Sequence, residues 1–317
     1  MWRSCNRAAS SCLDSAAAGL TGRESQYHRL NSERCGSTWE RVLHRLTLFG
    51  GLALALAASP VAAGNEANFV LYNQNVAEKG EVEVEFLSDF SNVGGSEPNY
   101  TAQVIELEYG VTDRWTTSLY FEGNREEGEN YQFGGWRFEN RLRVFEGNVF
   151  LNPVLYAEYE QLQPEHKYLF EVVGRAGEEE GGDEGTEHEL ETRLILGQDV
   201  TDRLNLAFNW INEVNFDNGE WAFGYAAGLN YVLFEHEQHH SRGWQVKELI
   251  LGLELYGGLG DSAEGLTLSG SETAQYAGIN LKTEFANGFE FGLGGAFGLT
   301  DLSEDALLRT SLSYEFN

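Results

Sequence analysis

The stretch Glu-Val-Glu-Val-Glu-Phe-Leu-Ser-Asp-Phe, residues 81–90, alternates with a period of two. Successive side chains of a β-strand point to opposite faces. Val82, Val84, Phe86, Ser88 and Phe90 therefore share one face, and Glu81, Glu83, Glu85, Leu87 and Asp89 the other. The same division recurs in 136–144, where Trp136, Phe138, Leu142 and Val144 with Asn140 oppose Arg137, Glu139, Arg141 and Arg143. In 246–256, Leu249, Leu251, Leu253 and Leu255 oppose Ile250, Gly252 and Glu254.

Twelve such segments are read along the chain: 81–90, 102–111, 115–123, 136–144, 153–160, 189–197, 204–213, 220–231, 246–256, 276–285, 289–299 and 306–316. They cover 120 positions, of which 61 fall in the apolar register and only Lys247 among these is charged. The opposite register carries 25 charged residues. A soluble sandwich or lipocalin-like barrel turns such an apolar face inward, whereas a transmembrane barrel turns it to lipid. The polar faces of 220–231 and 289–299 are built of small residues, Ala222, Gly224, Ala226 and Gly228, and Gly292, Gly294, Ala296 and Gly298. Glycine weakens a strand and has no use on a water-facing surface; a confined interior needs it where bulky neighbours intrude. Aromatic residues gather at strand ends (Tyr109 and Trp115, Phe285 and Phe289, Trp221 and Phe223, Tyr314 and Phe316), as interfacial girdles require. The expected fold is all-β, an antiparallel up-and-down transmembrane β-barrel of about twelve strands over residues 80–317.

The connections after strands 2, 6 and 10 are short, and those after odd-numbered strands include the longest, 161–188 and 257–275. Short turns on one side and long loops on the other put both termini in the periplasm. Short connections at 214–219 and 300–305 depart from that trend, and the stretch His166 to Val173 is read as prolonging strands 5 and 6.

Export is written into residues 42–63. Arg41, His44 and Arg45 precede an apolar run from Leu46 to Ala58, and Val61-Ala62-Ala63 supplies the small residues of a cleavage site, so a signal peptide ending at Ala63 is expected. The run is too short for a spanning helix, which needs about 20 residues. Residues 1–41, with Cys5, Cys12 and Cys35, read as a mis-annotated or extended N-terminal segment, and 64–79 as a periplasmic leader. Removing 1–63 changes the net charge from −29 to −32 and leaves no cysteine. Such an acidic chain is no nucleic-acid binder, which needs basic side chains against phosphate.

The runs YGVTDRW (109–115), RFENRLRVFEGN (137–148), NPVLYAEYE (152–160) and GLTD (298–301) before a final LSYEF are similar in style to proteobacterial outer-membrane barrel proteins, among them the phenol-degradation-pathway-associated and transporter barrels. The resemblance implies the outer membrane, with its lipid and the barrel-assembly machinery as partners, and passage of small molecules. It carries over no catalytic residue.

The charged interior set is Glu83, Glu85, Glu106, Glu108, Arg137, Glu139, Arg141, Arg143, Glu158, Glu191, Arg193, Arg309 and Glu315. These groups either pair and plug a narrow barrel or filter ions in a water-filled pore, where excess acid favours cations. The resulting reading is a passive channel or transporter for small molecules or ions with an acidic lumen. A non-conducting structural or adhesion barrel and a secreted soluble β-barrel binding protein are the alternatives. His236-Glu237-Gln238-His239-His240 spells H-E-x-x-H, but that zinc chemistry needs a helix, and no helical periodicity surrounds it. A polar turn is the plain reading, with adventitious metal binding by His236, His239 and His240 as the alternative. The acidic run Glu178 to Glu184 lacks the alternating ligands of an EF-hand and reads as a solvated charge run. No enzyme and no cofactor are expected.

Overall fold

The computed structural model describes residues 67–91, 100–126, 128, 130–147, 149–163, 172–175, 186–236 and 243–316. The expected signal peptide, the acidic run at 178–184, His239 and His240 lie outside them. The strands are β1 (Val82–Ser91), β2 (Tyr100–Thr112), β3 (Trp115–Glu126), β4 (Gln132–Arg143), β5 (Val154–Leu162), β6 (Glu187–Thr201), β7 (Leu204–Asn215), β8 (Trp221–Glu235), β9 (Val246–Asp261), the two-residue β10 (Gly265–Leu266), β11 (Gln275–Phe285), β12 (Phe289–Gly298) and β13 (Ala306–Phe316). Each barrel strand pairs antiparallel with its neighbours, β1 pairs β13, and β9 pairs both β8 and β11, so twelve strands close on themselves. β10 only extends the end of β9. Closure leaves no sheet edge and satisfies the backbone, which is what lets strands cross lipid.

Burial is inverted relative to a soluble protein. Phe86, Ile105, Leu107, Phe138, Leu155 and Leu312 face outward, whereas Asp89, Glu139, Glu158, Glu191 and Arg309 are buried. This is the transmembrane arrangement of the two registers. Its one expected blemish is absent. Glu284 lies opposite Glu248 and Phe285 opposite Val246, so Lys247 is the extra residue of a β-bulge. A bulge re-aims a side chain; Lys247 Nζ meets the inward Glu284 at 3.1 Å and lines the interior.

Trp244 stacks on Phe289 at 5.0 Å and meets Phe285 edge-on, Phe289 contacts Tyr314 at 4.7 Å, and Tyr314 contacts Phe316 at 4.6 Å. This aromatic rim marks the short-turn end, where the connections after β2, β4, β6, β8 and β11 lie. β9 runs five residues further at the opposite, long-loop end than the alternation alone suggested, and β6 and β8 run four further at the short-turn end.

The reading of 64–79 as a periplasmic leader is corrected. From Ala67 the described part runs inside the barrel, with Val70, Leu71, Asn73 and Gln74 buried. It leaves at the short-turn end, where Gly80 N–H donates to Gly110 O at 2.8 Å and the chain enters β1. The interior glycines are the space it needs. A methyl group on Gly294 would stand 2.7 Å from the Phe69 ring, one on Gly252 2.3 Å from Asn68 Oδ1, and one on Gly197 2.7 Å from the Gln74 nitrogen.

Candidate functional site: the barrel interior

An extended segment inside a barrel brings backbone N–H groups that must find acceptors. Polar side chains of the wall supply them. The Glu254 carboxylate accepts from three successive amides, Phe69 at 3.2 Å, Val70 at 3.1 Å and Leu71 at 3.0 Å, and from Asn280 Nδ2 at 2.7 Å. Asn230 accepts from Ala67 N–H, and Asn209 both accepts from Tyr72 N–H and donates to Tyr72 O, each at 2.8 Å. Thr116 accepts from Ala77 N–H at 2.8 Å. Two guanidiniums, Arg141 and Arg193, lie over the Tyr72 ring, each 5.1 Å from its centroid, a double cation–π arrangement. Its hydroxyl donates to Glu139 at 3.3 Å, and Tyr120 donates to the same oxygen at 2.7 Å.

Most of the leader's hydrogen bonds from Ala67 to Gln74 go to β6 to β9, and a cavity of about 1040 Å³ remains beside it, its lining reaching Glu78, Glu81, Lys247 and Glu315 at the short-turn end. Glu83, Glu85, Glu106, Glu108, Arg137, Arg141, Arg143, Glu158, Arg193, Arg309 and Glu315 line it. Glu139 and Glu191, fully buried, are not among its lining residues; they hold Arg141 and Arg193. Sequence reasoning did not single out Tyr72, Glu122, Glu254, Lys282 or Glu290. The signal for an occupant was present in the small interior face of β12, but nothing in the spacing of 67–77 assigned it that place.

The lining carries ten carboxylates and eight basic groups, so its bulk charge is nearly balanced. Pairing decides what remains. Arg137 meets Glu122 at 2.9 Å and Glu158 at 3.5 Å, Arg141 meets Glu108 and Glu139, and Lys282 meets Glu290. Glu83, Glu85 and Glu106 make no ion pair among the described residues. Glu85 lies opposite Glu106 across the β1–β2 ladder, and Glu83 opposite both Glu108 and Glu315. Like charges directly opposite are destabilising.

Arg309 of β13 makes a bidentate pair with Asp89 of β1, at 2.6 and 2.7 Å, and donates to Phe69 O of the leader at 3.3 Å. Both side chains are nearly inaccessible, 2% and 1% exposed. Replacing one partner of a buried pair costs about 3–5 kcal/mol. Asp89→Asn is thus expected to lower the temperature at which the folded, heat-modifiable species is lost in detergent, and an unchanged midpoint would contradict this role.

Of the three candidate histidines only His236 lies within the described residues: its ring stacks on Phe234 at 6.4 Å and its backbone N–H donates to Lys247 O at 2.9 Å.

No family model matches the chain, and no curated protein sequence is similar to it. Among solved structures it is similar to an outer membrane channel from Pseudomonas putida F1, at 13% identity and a TM-score of 0.47, covering 77% of this chain and 98% of that one. It is also similar to the KdgM porin in complex with disordered oligogalacturonate, at 8% identity and a TM-score of 0.46 over 74% of this chain and 99% of that one. The NanC porin gives 9% identity and a TM-score of 0.42 over 74% and 98%. These likenesses are of fold alone.

Proposed function

We propose that the chain is exported by cleavage after Ala63 and forms a passive outer-membrane channel for small polar solutes that favours cations. The observation that carries this reading is a closed barrel with an apolar outer face around a charged cavity of about 1040 Å³. The cation preference rests on Glu83, Glu85 and Glu106, three of the lining carboxylates that make no ion pair among the described residues. Rings and patches of one charge set the selectivity of a water-filled pore.

Planar-bilayer recording under a potassium chloride gradient tests both parts. The expected reversal potential has the sign of cation selectivity, and Glu83→Gln, Glu85→Gln and Glu106→Gln together move it toward zero. Conductance with no shift in the triple variant would remove these residues from the filter. No conductance from correctly folded protein, with or without the leader, would overturn the channel. A second reading, a non-conducting structural barrel, draws on the leader, whose bonds to Glu254, Asn209 and Asn230 fill part of the bore.

A further inference from the structure

At the long-loop end a second segment folds inward. Gly174 bridges Gly260 of β9, and its N–H donates to Phe223 O of β8 at 3.0 Å. Glycine in the wall makes this approach possible, since a methyl group on Gly258 would stand 2.1 Å from Gly174 O and one on Gly224 2.9 Å from Val173 Cγ1. Val172 packs against a buried cluster that includes Ala226, Tyr256 and Tyr276 of the wall and Val70 and Leu71 of the leader. The two tyrosine rings are stacked at 5.2 Å. Segments entering from opposite ends thus meet on one apolar floor.

The attachment of the inward loop segment is of a different kind. Arg175 donates through Nε to Asp261 at 2.6 Å, through one terminal nitrogen to Glu272 at 2.6 Å and through the other to Gly265 O at 3.1 Å. The guanidinium side chain is 8% exposed, while Glu272 is 45% exposed. The hydrogen bond from Arg175 holds the Glu272 carboxyl below its usual range. The leader is tied by neutral amides deep in the bore, but this segment is tied by charge at a rim that water and salt reach. Contacts of that kind are screened by salt, and a bidentate-style arginine grip is not reproduced by lysine.

We propose that Arg175 is the latch of a gate at the long-loop end: its grip on Asp261 and Glu272 holds Val172 and Val173 over the bore, and its release opens the cavity to that side. This regulates the channel proposed above and rests on that reading for its effect on flux, but not for its effect on access. Ala226 is fully buried in the cluster beneath Val172, and the chain has no cysteine after Cys35. Ala226→Cys therefore reports opening by reaction with a membrane-impermeant maleimide, followed by the mass of the peptide that carries it.

Labelling at position 226 is expected to be slow in the otherwise unchanged full chain and at least several-fold faster with Arg175→Ala, with Arg175→Lys between them. Val172→Asp, which places a charge on the apolar floor and leaves the latch intact, is expected to speed labelling as well. Conductance is expected to rise in Arg175→Ala in parallel. Equal labelling rates with and without Arg175, in barrels that remain heat-modifiable, would overturn the latch. Faster labelling with no conductance, in Arg175→Ala and after leader removal alike, would keep the latch and overturn the channel.

Discussion

Removal of residues 67–76 is expected to raise single-channel conductance several-fold while the barrel stays folded. Every barrel strand is hydrogen-bonded to two neighbours without help from the leader, so its loss opens no edge. What it leaves is a set of wall side chains, Glu254, Asn209 and Asn230, whose leader amides are gone. In a dry core that would be costly, but here water enters the vacated space and takes the same hydrogen bonds. A bulkier wall gives an independent route to the same outcome. Gly197→Val would drive a side chain into the backbone at Gln74, displacing the leader with no change to the leader sequence. The measurement is conductance in planar bilayers beside heat-modifiable migration. Unchanged conductance in a folded, leader-free barrel would mean that the bore is closed elsewhere, at the long-loop end.

Leu251→Arg is expected to abolish stable insertion. Leu251 lies in the outward register of β9, between Tyr231 of β8 and Leu281 of β11. An arginine on the lipid face at the midplane costs roughly 2–4 kcal/mol, and neither neighbour offers it an anion. Ser311→Arg is the matched control, since Ser311 of β13 lines the interior cavity with Glu85 and Glu290. It is expected to insert normally, so the pair compares one charge on two faces of the same wall. Normal heat-modifiable migration of Leu251→Arg would show that β9 turns its other face to lipid.

Much of this architecture was legible in the order of residues, because a strand between lipid and a polar interior must alternate. That physics made Phe86, Phe138 and Leu255 outward and Glu83, Arg137 and Arg309 inward before any pairing was known. Lys247 was misplaced for a reason parity cannot express: the bulge that turns it exists only in the pairing of β9 with β11. The leader was illegible for a similar reason. Its partners Glu254, Asn230 and Asn209 lie 137 to 185 residues away, and its own sequence, Ala67 to Ala77, has no period to read. The glycines of β12 showed that something bulky lies within, but a gap carries no information about which segment fills it. Bulk acidity misled in the same way, since the lining sets eight basic groups against ten carboxylates, and only the three-dimensional pairing shows that Glu83, Glu85 and Glu106 make no ion pair among the described residues.

The two ends of the chain meet on one side chain. Arg309, on the last strand, grips Asp89 on the first and the Phe69 carbonyl of the segment before it. A nascent barrel that lacks β13 therefore lacks one of the leader's anchors as well as the seam partner of β1. The order of biogenesis follows: full seating of the first segment waits for the last strand, so an unfinished chain cannot complete its own stopper.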